Sequence, residues 1–107
     1  GKSLDDFTPI GPWIVTKDEF KNPPALPIRS YVNGELRQDS NTELMINGIE
    51  KVICELTQGM TLQAGTIIAM GTPAGVGMGF EPPRFLKRGD VVTCEIEGIG
   101  TMTNKIK

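Results

Sequence analysis

The sequence predicts a mostly β domain (α+β) with one short helix and long proline-rich loops, and three features of the chain predict it. Asn33-Gly34 sits between two runs of alternating character, the dipeptide that favours a two-residue hairpin turn. Only one stretch, starting at Met45, repeats its apolar residues at helical spacing. Near the end, 91–96 and 101–106 read as two β-branched runs joined by Glu97-Gly98-Ile99-Gly100.

In the hairpin, 28–32 and 35–38 are the strands. A type I′ turn needs positive φ at both central residues, which asparagine and glycine tolerate best. The apolar positions Ile28, Tyr31, Val32 and Leu36 are few, so the hairpin is expected to be a solvent-facing or subunit-facing ribbon outside the core. In the helix, expected over 48–57, Met45, Ile49, Val52, Ile53 and Leu56 line one face that should pack on the sheet. Asn47 is placed to cap it with Glu50 three residues on, and Gly59 to end it in a left-handed turn. The last two strands should pair antiparallel.

Between helix and final strands, 66–70 is a short β-branched run bounded by Gly65 and Gly71, the pattern of a strand buried on both faces. It stops in Gly71-Thr72-Pro73-Ala74-Gly75-Val76-Gly77. Glycines there permit φ > 0 and leave backbone N–H groups uncovered, while Pro73 fixes its own φ, so Thr72 should present a free hydroxyl. Such a turn can seat a small anion such as a carboxylate. A plain glycine-rich connection with no ligand is an equal reading of the same residues.

Elsewhere the chain opens in a loop to Pro12, followed by Trp13-Ile14-Val15 as a short strand, and 22–27 is a proline-rich surface linker. Lys2 stands among Ser3, Asp5 and Asp6, either an ammonium beside carboxylates or a solvated charge cluster. Phe80-Glu81-Pro82-Pro83-Arg84-Phe85-Leu86 is a stiff loop, a lid or a simple connection. With 107 residues the chain holds one domain at most. A net charge of −2 gives it no electrostatic claim on nucleic acid or an anionic membrane, and no apolar run approaches a span of about 20 residues. A soluble intracellular protein is expected. Cys54 and Cys94 are expected as buried or half-buried free thiols. The absence of histidine removes zinc-finger and Cys-His arrangements, and leaves any base within this chain to Asp, Glu, Lys or Tyr.

Taken in order, Lys2-Ser3, Pro9-Ile10-Gly11-Pro12-Trp13-Ile14-Val15, Val32-Asn33-Gly34-Glu35, the 71–77 turn, Leu86-Lys87-Arg88-Gly89-Asp90 and Glu95-Ile96-Glu97-Gly98-Ile99-Gly100 resemble the C-terminal half of the fumarylacetoacetate hydrolase family over essentially the whole chain. The resemblance implies a mixed β-roll or sandwich, with 1–107 as the C-terminal part of a single domain. It implies a homodimer, cytoplasmic or, in a eukaryote, mitochondrial, acting on small keto acids in pathways such as aromatic catabolism. Family members cleave carbon–carbon bonds in acylpyruvates and fumarylacetoacetate, or isomerise or decarboxylate related acids, with Mg²⁺ (or Mn²⁺ or Ca²⁺) as cofactor. By resemblance Lys2 is the catalytic lysine of the metal–substrate site, Thr72 contacts the substrate carboxylate, and Gly71 and Gly75 shape its turn. The metal ligands and the catalytic His-Glu pair are expected before Gly1, with Asp6, where many relatives have threonine, the one candidate ligand inside the chain. The chain alone should be inactive. A non-enzymatic reading stands beside this one, a β-domain that dimerises or binds a partner through bare strand edges.

Overall fold

In the computed structural model, which describes residues 2, 4–21 and 23–107, four antiparallel strands form one sheet beside a single helix. The strands are β1 (Pro27–Val32), β2 (Glu35–Asn41), β3 (Val91–Ile96) and β4 (Gly100–Lys105), in the order β2-β1-β3-β4, and the helix is α1 (Ile49–Thr57). Single 3₁₀ turns occur at Lys17–Glu19, Thr42–Leu44 and Gly77–Gly79.

The hairpin forms as its turn dictates. Asn33 has φ 52° and Gly34 φ 81°, positive at both central positions. Its place differs from the expectation, because β1 pairs with β3 as well as β2 and so lies inside the sheet. What ties it there is Asn33: its side chain donates to Asp90 Oδ1 at 2.9 Å and accepts from Val91 N at 2.9 Å, and its N–H reaches Val91 O at 2.8 Å. The Asn-Gly turn and the Lys87-Arg88-Gly89-Asp90 turn thus close one end of the sheet together.

Directly opposed residues of an antiparallel ladder share a face. One face carries Arg29 between Asp39 (3.1 Å) and Glu95 (3.2 Å), with Thr93 bonded to Thr103. The other carries Ile28, Ser30, Val32, Val92, Cys94 and Ile96, and over it lies the 69–86 segment. One irregularity shapes this face. Ser30 pairs with Gln38 and Tyr31 with Leu36, leaving Arg37 as the extra residue of a β-bulge.

Several expectations fail for identifiable reasons. The 66–70 run is not a strand, because no neighbouring strand offers it a ladder among the described residues. Trp13-Ile14-Val15 is irregular, held by its indole, which donates to Ile99 O at 2.8 Å across the β3–β4 turn. The ring lies where a Cβ on Gly100 would come within 2.6 Å of Trp13 Cζ2. The helix N-cap is Gly48 without a side-chain bond, so Asn47 does not cap; the C-cap is Gln58 in right-handed geometry, and Gly59 has no positive φ. The helix stripe is only half-buried, with Ile53 at 41% exposure, and α1 makes no extensive contact with any strand, against the expectation that it packs on the sheet. Both thiols are free, as expected, but exposed. The linker expected at 22–27 is irregular over 23–26, with Leu26 N and Pro24 O both bonded to the Thr42 hydroxyl, but Pro27 already belongs to β1, paired with Asn41; Asn22 lies outside the described residues.

No described side chain is fully buried, and the chain exposes 8604 Å², where a compact monomer of its 11.6 kDa would expose roughly 5,800 Å². Its charged contacts nevertheless bias it against acid. Asn33 and the Lys87 N–H hold the Asp90 carboxyl below its ordinary range, and the Arg84 fork, at 2.7 and 2.8 Å, does the same to Glu35. A carboxyl depressed by folding stabilises the fold above its unfolded value, about 4, and loses that contribution as pH falls through the lower folded value. Thermal stability should therefore fall below about pH 4, and Asp90→Asn should flatten that fall. Melting curves from about pH 5 to 2.5 check it; an unchanged slope contradicts it.

Candidate functional site

The glycine turn is seated on the sheet by its glycines. Gly75 has φ 101°, and a Cβ there would fall on the carbonyl oxygen of Arg37, the bulge residue of β2. Gly71, directly after the 66–70 run, has φ 108°, a backbone conformation open to glycine. Gly77 lacks positive φ; its requirement is space, since a Cβ would strike the carbonyl of Arg84, whose N–H donates to Gly77 O at 2.8 Å. The turn thus lies against the backbone of β2 on one side and the 80–86 loop on the other.

Thr72 is exposed at the mouth of an open cleft of about 700 Å³, lined among others by Ser40, Asn41, Asn47, Met70, Gly71 and Ala74. Its hydroxyl is not free, contrary to expectation. Gln38 Nε2 donates to Thr72 Oγ1 at 2.8 Å and to Pro73 O at 2.9 Å, while Gln38 Oε1 accepts from Ser30 Oγ at 2.8 Å. An accepting hydroxyl keeps its own proton to give. Among the described residues, none of the N–H groups of Gly71, Thr72, Ala74 and Gly75 donates to another backbone carbonyl. Gly71, Thr72 and Ala74 line the cleft, so the turn brings backbone N–H groups without a backbone acceptor and one hydroxyl proton to its wall, a set that suits an acceptor-only group such as a carboxylate.

Lys2 and Asp6 are not brought to this turn. The Lys2 side chain is exposed, lines neither cleft beside the sheet, and has no ion pair among the described residues; its carbonyl accepts from Thr8 Oγ1 at 2.9 Å. Ser3 of the same motif lies outside the described residues. Asp6 bonds Lys107 Nζ at 2.8 Å, and that contact lowers its carboxyl below the ordinary range. No group of three His, Cys, Asp or Glu side chains is gathered among the described residues, and the one candidate ligand is already paired. The residues present do not fit a divalent metal by themselves. The 80–86 loop is a tethered connection, with Arg84 paired to Glu35 and both Arg84 and Arg37 stacked 5.2 Å from the Phe80 ring centre.

A family model described as "Fumarylacetoacetate (FAA) hydrolase C-terminal" matches residues 1–107. The chain belongs to the fumarylacetoacetate hydrolase family. It is 50% identical over 106 residues to the oxaloacetate tautomerase YisK of Bacillus subtilis and 50% identical over 106 residues to a mitochondrial oxaloacetate tautomerase of Bos taurus, covering 99% of this chain and 35% and 34% of those proteins. It therefore spans about a third of the length of these curated relatives. Among solved structures it matches a fumarylacetoacetate hydrolase from psychrophilic Exiguobacterium antarcticum with a TM-score of 0.93 at 51% identity, over 100% of this chain and 38% of that one. A maleylpyruvate hydrolase from Sphingobium sp. SYK-6 matches with a TM-score of 0.85 at 39% identity, over 98% and 37%. The mostly β fold with one short helix is that of the family's C-terminal domain. Family enzymes include hydrolases and isomerases of small keto acids, and one maleylpyruvate hydrolase structure is described as a complex with manganese(II) and pyruvate. No helix among the described residues is long and apolar enough to cross a membrane.

Gln38 is the residue sequence reasoning missed. A two-residue turn at Asn33-Gly34 places Arg37 opposite Ser30, and only the bulge moves Gln38 into that position, under Thr72.

Proposed function

We propose that the chain supplies the carboxylate-holding part of an enzyme acting on small keto acids, with keto–enol tautomerisation of an oxaloacetate-type acid as its reaction. The observation that carries the reading is the Thr72 hydroxyl at the cleft, which accepts from Gln38 and keeps its own proton for an incoming carboxylate, beside the backbone N–H groups of Gly71 and Ala74 that have no backbone acceptor. Half of the chain is identical to proteins named oxaloacetate tautomerases, which supports the reaction class. Carbon–carbon bond hydrolysis is the second reading, favoured by the 51% identity to a structure named as a fumarylacetoacetate hydrolase.

In this reading 1–107 is the C-terminal part of one domain, assembled as a homodimer, and the apolar surface it exposes is covered by the rest of the protein. Lys2 supplies a cation toward charge that develops on the substrate, Thr72 and its turn orient the acid, and Gly71 and Gly75 give the turn its shape. The divalent metal ligands lie outside this chain. A bound Mg²⁺ or Mn²⁺ would polarise the substrate's oxygens.

Thr72→Val, made in the whole protein, tests the reading because it keeps the volume and branching and removes the donor. A hydrogen bond to a charged group is worth about 1.5–3 kcal/mol, so kcat/KM for the acid should fall roughly 10- to 150-fold, with melting temperature nearly unchanged. The penalty should shrink toward unity with an ester or amide analogue. Unchanged kinetics with both oxaloacetate and an acylpyruvate would reduce 71–77 to a structural turn.

A further inference from the structure

We propose that Gln38 is a positioning residue that sets the direction of the Thr72 hydroxyl, acting through Thr72 and touching no substrate; the proposal rests on the carboxylate-binding reading of Thr72. Three hydrogen bonds leave the Gln38 amide one orientation. A carbonyl oxygen only accepts, so the amide end facing Pro73 O at 2.9 Å must be the NH₂. The remaining N–H then reaches Thr72 Oγ1 at 2.8 Å, and Oε1 takes the Ser30 hydroxyl proton at 2.8 Å on the other side. Ser30 and Gln38 are paired across β1 and β2, so the sheet itself anchors the amide.

A threonine hydroxyl has one proton, two lone pairs and a free rotor. With a lone pair held by Gln38, the proton cannot point at β2 and is turned to the remaining sectors, which include the open cleft. Without that amide the hydroxyl could satisfy itself by donating to a nearby carbonyl, and an incoming carboxylate would have to break that bond first. The β2 bulge and the bare Cα of Gly75 serve the same end: they let the turn approach β2 closely enough for one glutamine to reach both Thr72 and Pro73.

The test is a double-mutant cycle in the whole protein, read by steady-state kinetics on oxaloacetate and by calorimetric titration with pyruvate. Gln38→Met keeps length and volume and removes every hydrogen bond. It should lower kcat/KM roughly 3- to 10-fold, almost all of it in KM, and weaken pyruvate binding by a similar factor. In the Thr72→Val background the same substitution should cost nothing further, since the hydroxyl it directs is gone. Equal penalties in both backgrounds, or a lowered melting temperature with unchanged KM, overturn the proposal. If Gln38→Met does not fold, Ser30→Ala, which frees the amide from its anchor, should show a smaller loss that likewise vanishes beside Thr72→Val; additivity there overturns it equally. If Thr72→Val is itself silent, the reading of the turn falls and this proposal with it; if Thr72→Val is costly and Gln38→Met is silent, only this proposal falls.

Discussion

Lys2→Ala in the whole protein is expected to lower kcat by about 10²- to 10³-fold, the cost of removing one charge-stabilising group from a reacting centre. The same substitution should leave the melting temperature within a degree or two of the parent's, since surface changes away from packed features are usually worth within about 0.5 kcal/mol. The structure supports that separation: Lys2 is exposed, and its side chain has no ion pair among the described residues that folding would lose. Lys2→Arg sharpens the test, because a guanidinium keeps the charge but is a planar fork where an ammonium is a compact point. If the requirement is for a point charge at one oxygen, arginine restores only part of the rate. Turnover of oxaloacetate beside a melting curve reads both quantities, and parallel loss of activity and stability, or unchanged turnover, would count against a catalytic lysine.

The elements legible in the sequence are those whose cause is local. Asn33-Gly34 carries its turn in its own φ preferences, the stripe from Ile49 to Leu56 carries the helical period, and the β-branched 91–96 run carries a strand. What failed depends on partners distant in sequence. An apolar run such as 66–70 signals burial but says nothing about which strand, if any, lies beside it. Trp13 looked like strand material because its hydrogen-bond partner, Ile99 O, is 86 residues away. The helix ends failed for a subtler reason: Asn47 and Gly59 have the right chemistry, but the observed caps fall at Gly48 and Gln58.

The candidate site divides along the same line. Thr72 and its glycines stood out because glycine, proline and threonine in that order restrict the backbone wherever they occur. Gln38 gave no signal, being one polar residue among Glu35, Arg37, Gln38 and Asp39 on a short strand. Its role is created by a one-residue slip in register, which period-two reasoning from the turn cannot anticipate. The metal expectation rested on resemblance, and the described residues hold no acidic cluster to carry it. The contribution proposed for this chain is accordingly a carboxylate seat and one cation.

Gly75→Ala should damage folding and activity together, unlike either side-chain change at the site. Two separate costs arise at this position. The backbone has φ 101°, a region that L side chains rarely adopt, and holding a non-glycine residue in such a conformation costs on the order of 1–3 kcal/mol. The added Cβ would also fall on the Arg37 carbonyl oxygen, and that atom belongs to the bulged backbone of β2, which cannot yield as a flexible side chain could. Relief requires lifting the 71–77 turn off the sheet or flattening the bulge, and either movement separates Gln38 from Thr72 and Pro73. The loss should therefore reach about 3 kcal/mol or more in the whole protein, with a KM defect at least as large as that of Thr72→Val in whatever fraction remains folded. Gly71→Ala is the internal control: it shares the positive φ, at 108°, but its Cβ would meet nothing within 4 Å. It should show the backbone cost alone. Denaturant unfolding of the two variants side by side separates strain from collision, and equal destabilisation of both would mean that the seating of Gly75 on β2 contributes nothing to holding the turn.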